Sequence, residues 1–299
     1  MRLNTSIWVK RCFSHPPRRF APHPPIATNA ATYAILVHQR LVPFTLAHPA
    51  VAVPFRRWGL VLSALIVGSV ASDFEYFIGL EPHGRLGHTM PWVVLITFPG
   101  ALLALWIFHA CMKRGLAALL PLSTQRRLQP YLGKFRFGGG KRFALIAASI
   151  ALGIVTHLAW DSFTHPYTIV YKHWMWMRTM VELPVLGKSL PVYKMLQYAS
   201  SLVGCLILMF WIWLWWVRAP EWPAPVGTEL PAGKRGAIVA IMVVLPIVCG
   251  LTQAALTSRL SIFQLVAVSV VTAITTLVAE ALVLGAVWEL THRRRTISG

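Results

Sequence analysis

The chain has 299 residues, 56% of them hydrophobic and only 12% charged. A soluble domain carries about 25% charged residues, so this composition excludes a soluble protein with a large core and points to an all-α polytopic membrane protein. The net charge of +19 lies in short blocks between apolar runs, with no stacking aromatics along a basic groove. That pattern excludes nucleic acid as a partner and indicates membrane lipids with anionic headgroups.

Residues 1–41 are basic, rich in proline and free of acids, and they lack the continuous apolar core of a secretory signal. We expect a disordered extension, or one that precedes the true start near Val42, with no chemistry of its own. Residues 42–292 are expected to form a single membrane-embedded domain, and residues 293–299 a basic tail. Residues 44–55, FTLAHPAVAVPF, are apolar but too short to span a bilayer, which suggests a re-entrant or interfacial segment. Six apolar runs follow, at about 58–73, 91–112, 143–161, 195–217, 236–256 and 262–288, the first of them short for a crossing. About six spans are therefore expected. Cys12, Cys111, Cys205 and Cys249 lie far apart in sequence and suggest neither disulfides nor a zinc knuckle.

Charge sets the expected orientation. The connection 113–142 carries Lys113, Arg114, Arg126, Arg127, Lys134, Arg136, Lys141 and Arg142 without a single acid. It reads as cytoplasmic. Arg56 and Arg57 precede the first run, Arg218, Lys234 and Arg235 flank the fourth and fifth, and Arg293–Arg295 follow the sixth. Six spans with both termini cytoplasmic place all these blocks on one side. Tryptophans 211, 213, 215 and 216 then read as an aromatic belt, and Trp174 and Trp176 as an outer interfacial pair.

The same arrangement brings Asp73 and Glu75, His88, and the pair His157 and Asp161 to the outer ends of three different runs. Asp73 and Asp161 are the only aspartates in the chain. His157 and Asp161 are four residues apart, so a helix stacks them on one face about 6 Å apart along its axis. His165 lies one turn further but precedes Pro166, which disfavours helix there. Asp73 and Glu75 can serve one site only where the helix has ended. Imidazole nitrogen with carboxylate oxygen suits a divalent ion, zinc first, with manganese or iron as alternatives. A proton relay is the metal-free reading of the same residues. Glu75 is a candidate general base, outer partner of a ligand or ligand itself, and Arg85 a candidate contact for an anionic substrate group.

Four motifs, PFTLAHPA (43–50), GSVASDFEYF (68–77), GRLGHTMP (84–91) and GIVTHLAWDSFTHP (153–166), resemble a bacterial membrane-protein family numbered 4184 in the domain-of-unknown-function series. A looser resemblance is to the inner-membrane metal-dependent hydrolases, through His48, Asp73, His88, His157 and Asp161. SD stands here for their PD element and GHT for THS, changes that spare the ligands. These resemblances imply a bacterial inner-membrane location, and the second implies metal-dependent hydrolysis with His48 as a further ligand. The expected function is hydrolysis of an ester or phosphoester, with a small-molecule or lipid-linked substrate, at the outer membrane interface. An ion- or proton-coupled transporter and a non-catalytic scaffold are the alternatives. In this topology His48 reaches the site only if residues 44–55 dip into the membrane.

Overall fold

The computed structural model describes residues 45–80, 86–166, 168–183, 187–223, 230–257 and 262–297. The expected extension 1–41 lies outside them. Apart from one two-stranded ladder, the described chain is helical: α1 (Pro49–Ala52), α2 (Leu62–Ala71), α3 (Phe74–Gly79), α4 (Val93–Ala118), α5 (Leu122–Leu128), α6 (Gly140–Thr164), α7 (Ile169–His173), α8 (Val192–Arg218), α9 (Ala232–Leu256) and α10 (Ile262–Ile297). The ladder pairs β1 (Met180–Leu183) antiparallel with β2 (Lys188–Pro191), Met180 facing Pro191. It lies in the connection between α7 and α8. α10 runs to Ile297, through the basic residues 293–295.

Five described helices, not the expected six, are long and apolar enough to cross a membrane: α4, α6, α8, α9 and the Gln264–Thr291 part of α10. The missing one is the first run. Its helix α2 has ten residues, about 15 Å at 1.5 Å per residue, half the roughly 30 Å of a hydrocarbon core. Before it, short helical turns run from Thr45 through α1 to Trp58. Gly59, at φ 78°, then reverses the chain. The two arms form a hairpin whose ends meet again, since the Thr45 hydroxyl donates to Asp73 Oδ2 at 2.6 Å. At the tip, the Val61 N–H donates to Ser149 Oγ, midway along α6, at 2.9 Å.

α2 lies against α6 closely enough that both helices need glycine at the crossing. A Cβ on Gly68 would sit 2.3 Å from the Ile150 carbonyl oxygen, and one on Gly153 would sit 2.5 Å from that of Leu65. Small residues are how membrane helices bring their backbones together. Around this crossing Ala64, Ala71, Ala101, Leu105, Ile146 and Ile150 form the buried core. α8 closes on the hairpin at Gly204, against Ala47. α10 reaches α3 through Thr275, whose hydroxyl donates to the Phe77 carbonyl at 3.0 Å.

The outward faces of α8 and α9 expose Leu202, Met209, Phe210, Val243 and Leu251, a surface made for hydrocarbon rather than water. Of the belt residues, Trp216 stacks under Arg127 at 4.6 Å and donates from Nε1 to Thr124. α4 leads away from the His88 end of the bundle and α6 returns to it. The basic connection between them therefore lies at the opposite end from His157 and Asp161.

Candidate metal centre

Three breaks in helical structure converge on one point. α2 ends at Ser72, leaving Asp73 in a turn (φ −93°, ψ 1°) before α3 restarts the helix. The helix is thus interrupted at Ser72–Asp73, and the Asp73 carboxylate turns inward. His88 ends a single turn, Leu86–His88, ahead of α4. α6 stops at Thr164, with His165 extended (ψ 148°) ahead of Pro166. His157 and Asp161 share its inner face one turn earlier. Asp73 and His157 are fully buried and Asp161 is 4% exposed, while the His88 side chain keeps 21% of its surface open.

One donor atom from each of Asp73, His88, His157 and Asp161 lies within 4.8 Å of every other. His88 Nε2 stands 3.2 Å from His157 Nε2 and 3.1 Å from Asp161 Oδ2. His157 Nε2 stands 3.2 Å from the same oxygen. Asp73 Oδ1 is 3.5 Å from His88 Nε2 and 3.6 Å from His157 Nε2. Donors held about 2.0–2.1 Å from a tetrahedral zinc lie about 3.3–3.4 Å apart, in the middle of this range. Hydrogen bonding alone serves the cluster poorly. Two imidazole nitrogens facing each other cannot both carry protons, and two buried carboxylates without cations are costly.

Surrounding groups aim the donors. His157 Nδ1–H donates to the Ser69 carbonyl at 2.8 Å, which leaves the Nε2 lone pair facing the cluster. Thr45 occupies Asp73 Oδ2, while Oδ1 has no hydrogen-bond partner. Glu75 accepts the Leu86 and Gly87 N–H groups on Oε2 at 2.8 and 3.3 Å. It pins the turn that carries His88. Gly87 has no room for a side chain there, because a Cβ would fall 1.9 Å from the Ser72 carbonyl oxygen. The Tyr76 ring lies parallel to that of His88, centroids 6.2 Å apart. Arg85, the other expected catalytic residue, is outside the described residues.

The two remaining candidates are also at the site. His48 enters at the open end of the hairpin, its ring 4.0 Å from that of His157 and its Nε2 3.6 Å from Asp161 Oδ1. His165 Nδ1 is 3.4 Å from the same Asp161 oxygen.

The family described as Domain of unknown function (DUF4184) matches residues 42–288. The chain belongs to this family. No curated protein and no solved structure matches it. The stretch shared with the DUF4184 family contains all six histidine and aspartate residues of the cluster.

Sequence reasoning missed Thr45, Ser69, Tyr76 and Gly87. Thr45 was the most legible of them, one short helical turn before His48. Thr45→Val is expected to leave Asp73 Oδ2 buried without a donor and to weaken metal binding about 10–100-fold, the usual cost of losing an outer partner of a ligand. A competition titration against a chromophoric chelator reads this directly. Unchanged affinity would show that Thr45 does not orient Asp73.

Proposed function

We propose that the protein is a membrane-embedded metal-dependent hydrolase. Its site would lie at the outer face of a bacterial cytoplasmic membrane and act on an ester or phosphoester carried by a lipid. The observation that carries this reading is the set of four donors from three separate segments, spaced as a divalent ion requires. Asp73, His88, His157 and Asp161 would hold the ion, zinc before manganese or iron by their nitrogen and oxygen chemistry. When bound, such an ion lowers the pKa of water and polarises the bond under attack.

The protein's own groups do the rest. Ser69 and Thr45 fix the ring and carboxylate orientations, and Glu75 holds the His88 turn in place of acting as the base. His88, the one partly open member, marks the side from which water and substrate approach. In the reaction the water oxygen forms a bond to the acyl carbon or phosphorus, the ester bond breaks, and a proton goes to the departing alcohol.

The lipid assignment draws on the apolar rim at this end of the bundle, where Ile78, Met90, Ile169, Trp174 and Met175 are exposed. Sidedness draws on the basic blocks at the opposite end. With the hairpin entering and leaving at the site end, five crossings would leave Thr45 on the outer side and the end of α10 inside.

The test uses detergent-purified full-length protein, stripped with chelator and reloaded with zinc. It is expected to bind zinc at stoichiometric level and to hydrolyse an ester or phosphoester lipid presented in vesicles, with chelator abolishing turnover. A chain that binds zinc without turnover on either lipid class overturns the hydrolase. One that binds no divalent ion is the metal-free scaffold.

A further inference from the structure

The proposed ion uses only one oxygen of Asp161. Oδ2 faces His88 and His157, while Oδ1 points the other way, buried and without a hydrogen-bond partner. Two imidazole nitrogens face Oδ1: His48 Nε2 at 3.6 Å and His165 Nδ1 at 3.4 Å. These separations again match the roughly 3.3–3.4 Å between donors of a tetrahedral ion. His48 is 3% exposed, and its other nitrogen, Nδ1, is buried with no hydrogen-bond partner. The Thr164 hydroxyl lies 3.1 Å from His165 Nδ1, and the Gln197 amide nitrogen 3.5 Å from its Nε2.

We propose that Asp161 bridges two divalent cations, the second held by Asp161 Oδ1, His48 and His165, and that the substrate is accordingly a phosphoester. This rests on the first position holding an ion. The substrate class follows from charge. One divalent ion is neutralised by the two aspartates, leaving no preference for an anion. Two such ions bring four positive charges against the same two carboxylates, since Glu75 is engaged by backbone N–H groups outside the cluster. The surplus attracts a phosphoryl group, and a two-ion site clamps both the entering and the leaving oxygen of a displacement at phosphorus. Lys194, whose ammonium donates to Gln197 at 2.7 Å, adds further positive charge beside His165.

Chelator-stripped full-length protein loaded with manganese separates the possibilities, read by metal content, electron paramagnetic resonance and binding of inorganic phosphate. Wild type is expected to hold two ions per chain with a spin-coupled signal and to bind phosphate. His48→Gln and, separately, His165→Gln should each retain one uncoupled ion and lose phosphate binding. His165 sits at the partly exposed end of α6, so its variant keeps the test sound if His48→Gln fails to fold. A single ion in wild type, unchanged in both variants, overturns the second position while sparing the first. Absence of any ion overturns both. Two coupled ions without phosphate binding overturn the phosphoester assignment.

Discussion

Asp161→Asn is expected to leave the chain folded and to remove high-affinity metal binding. The substitution keeps shape and volume, but it deletes one of two negative charges and can place an amide N–H where a donor lone pair is needed. Losing an outer partner costs about 10–100-fold in metal affinity, and a direct ligand shared by His88 and His157 should cost more. Metal analysis of the purified variant checks this, and stoichiometric zinc in Asp161→Asn would sink the proposed centre.

Stability should change sign with loading. Stripped of metal, wild type keeps two carboxylates buried close together, so the variant should melt at the same temperature or higher. With free zinc at 100 times the dissociation constant, wild type gains about 2.7 kcal/mol from binding and should melt well above the variant. The crossover distinguishes a metal centre from a hydrogen-bonded polar cluster, in which Asp161→Asn would be destabilising under both conditions.

The second large effect is expected from Gly153→Ala, eight residues from the nearest ligand on α6 other than His157 itself. In an open helix this change favours the folded state by up to about 1 kcal/mol. Here the new methyl would meet the Leu65 carbonyl oxygen at 2.5 Å and the Ser69 nitrogen at 2.7 Å. Both are backbone atoms, so the helices must part rather than a side chain swing aside. Overpacking of this kind costs typically about 1–3 kcal/mol, so the clash should outweigh propensity and lower the melting temperature. The displacement also draws the Ser69 carbonyl away from His157 Nδ1, so metal affinity should fall with stability. A melting temperature equal to or above wild type would show that α2 and α6 are less closely packed than described. An open-face control, Gly100→Ala, has nothing within 4 Å of its Cβ and should leave the melting temperature unchanged or raise it, by up to about 1 kcal/mol of helix propensity.

Much of the centre was legible because it is local or follows from one-dimensional patterns. The spacing of His157 and Asp161 places them on one helix face wherever the helix goes. Hydropathy located all five long helices. The order of apolar runs brought Asp73, His88 and His157 to one end, although the helix of the first run is only ten residues long. A half-depth helix and a short full crossing have the same apolar composition. What tells them apart is where the chain returns, and that is decided by the contact between Thr45 and Asp73, 28 residues apart.

The same return brings His48 to the site, where charge patterning had placed it on the opposite side. The hold of Glu75 on the His88 turn was not legible, because spacing reports direction along a helix but not the backbone N–H groups of a turn eleven residues on. The sequence by itself determined a bundle of helices apolar enough to cross a membrane and the side chains that could hold an ion, since composition and helical periodicity need no partner to be read. The tertiary structure alone decided the hairpin, the aim of each donor and the second face of Asp161. These depend on contacts between segments, which become close only when glycine-lined helices pack backbone to backbone.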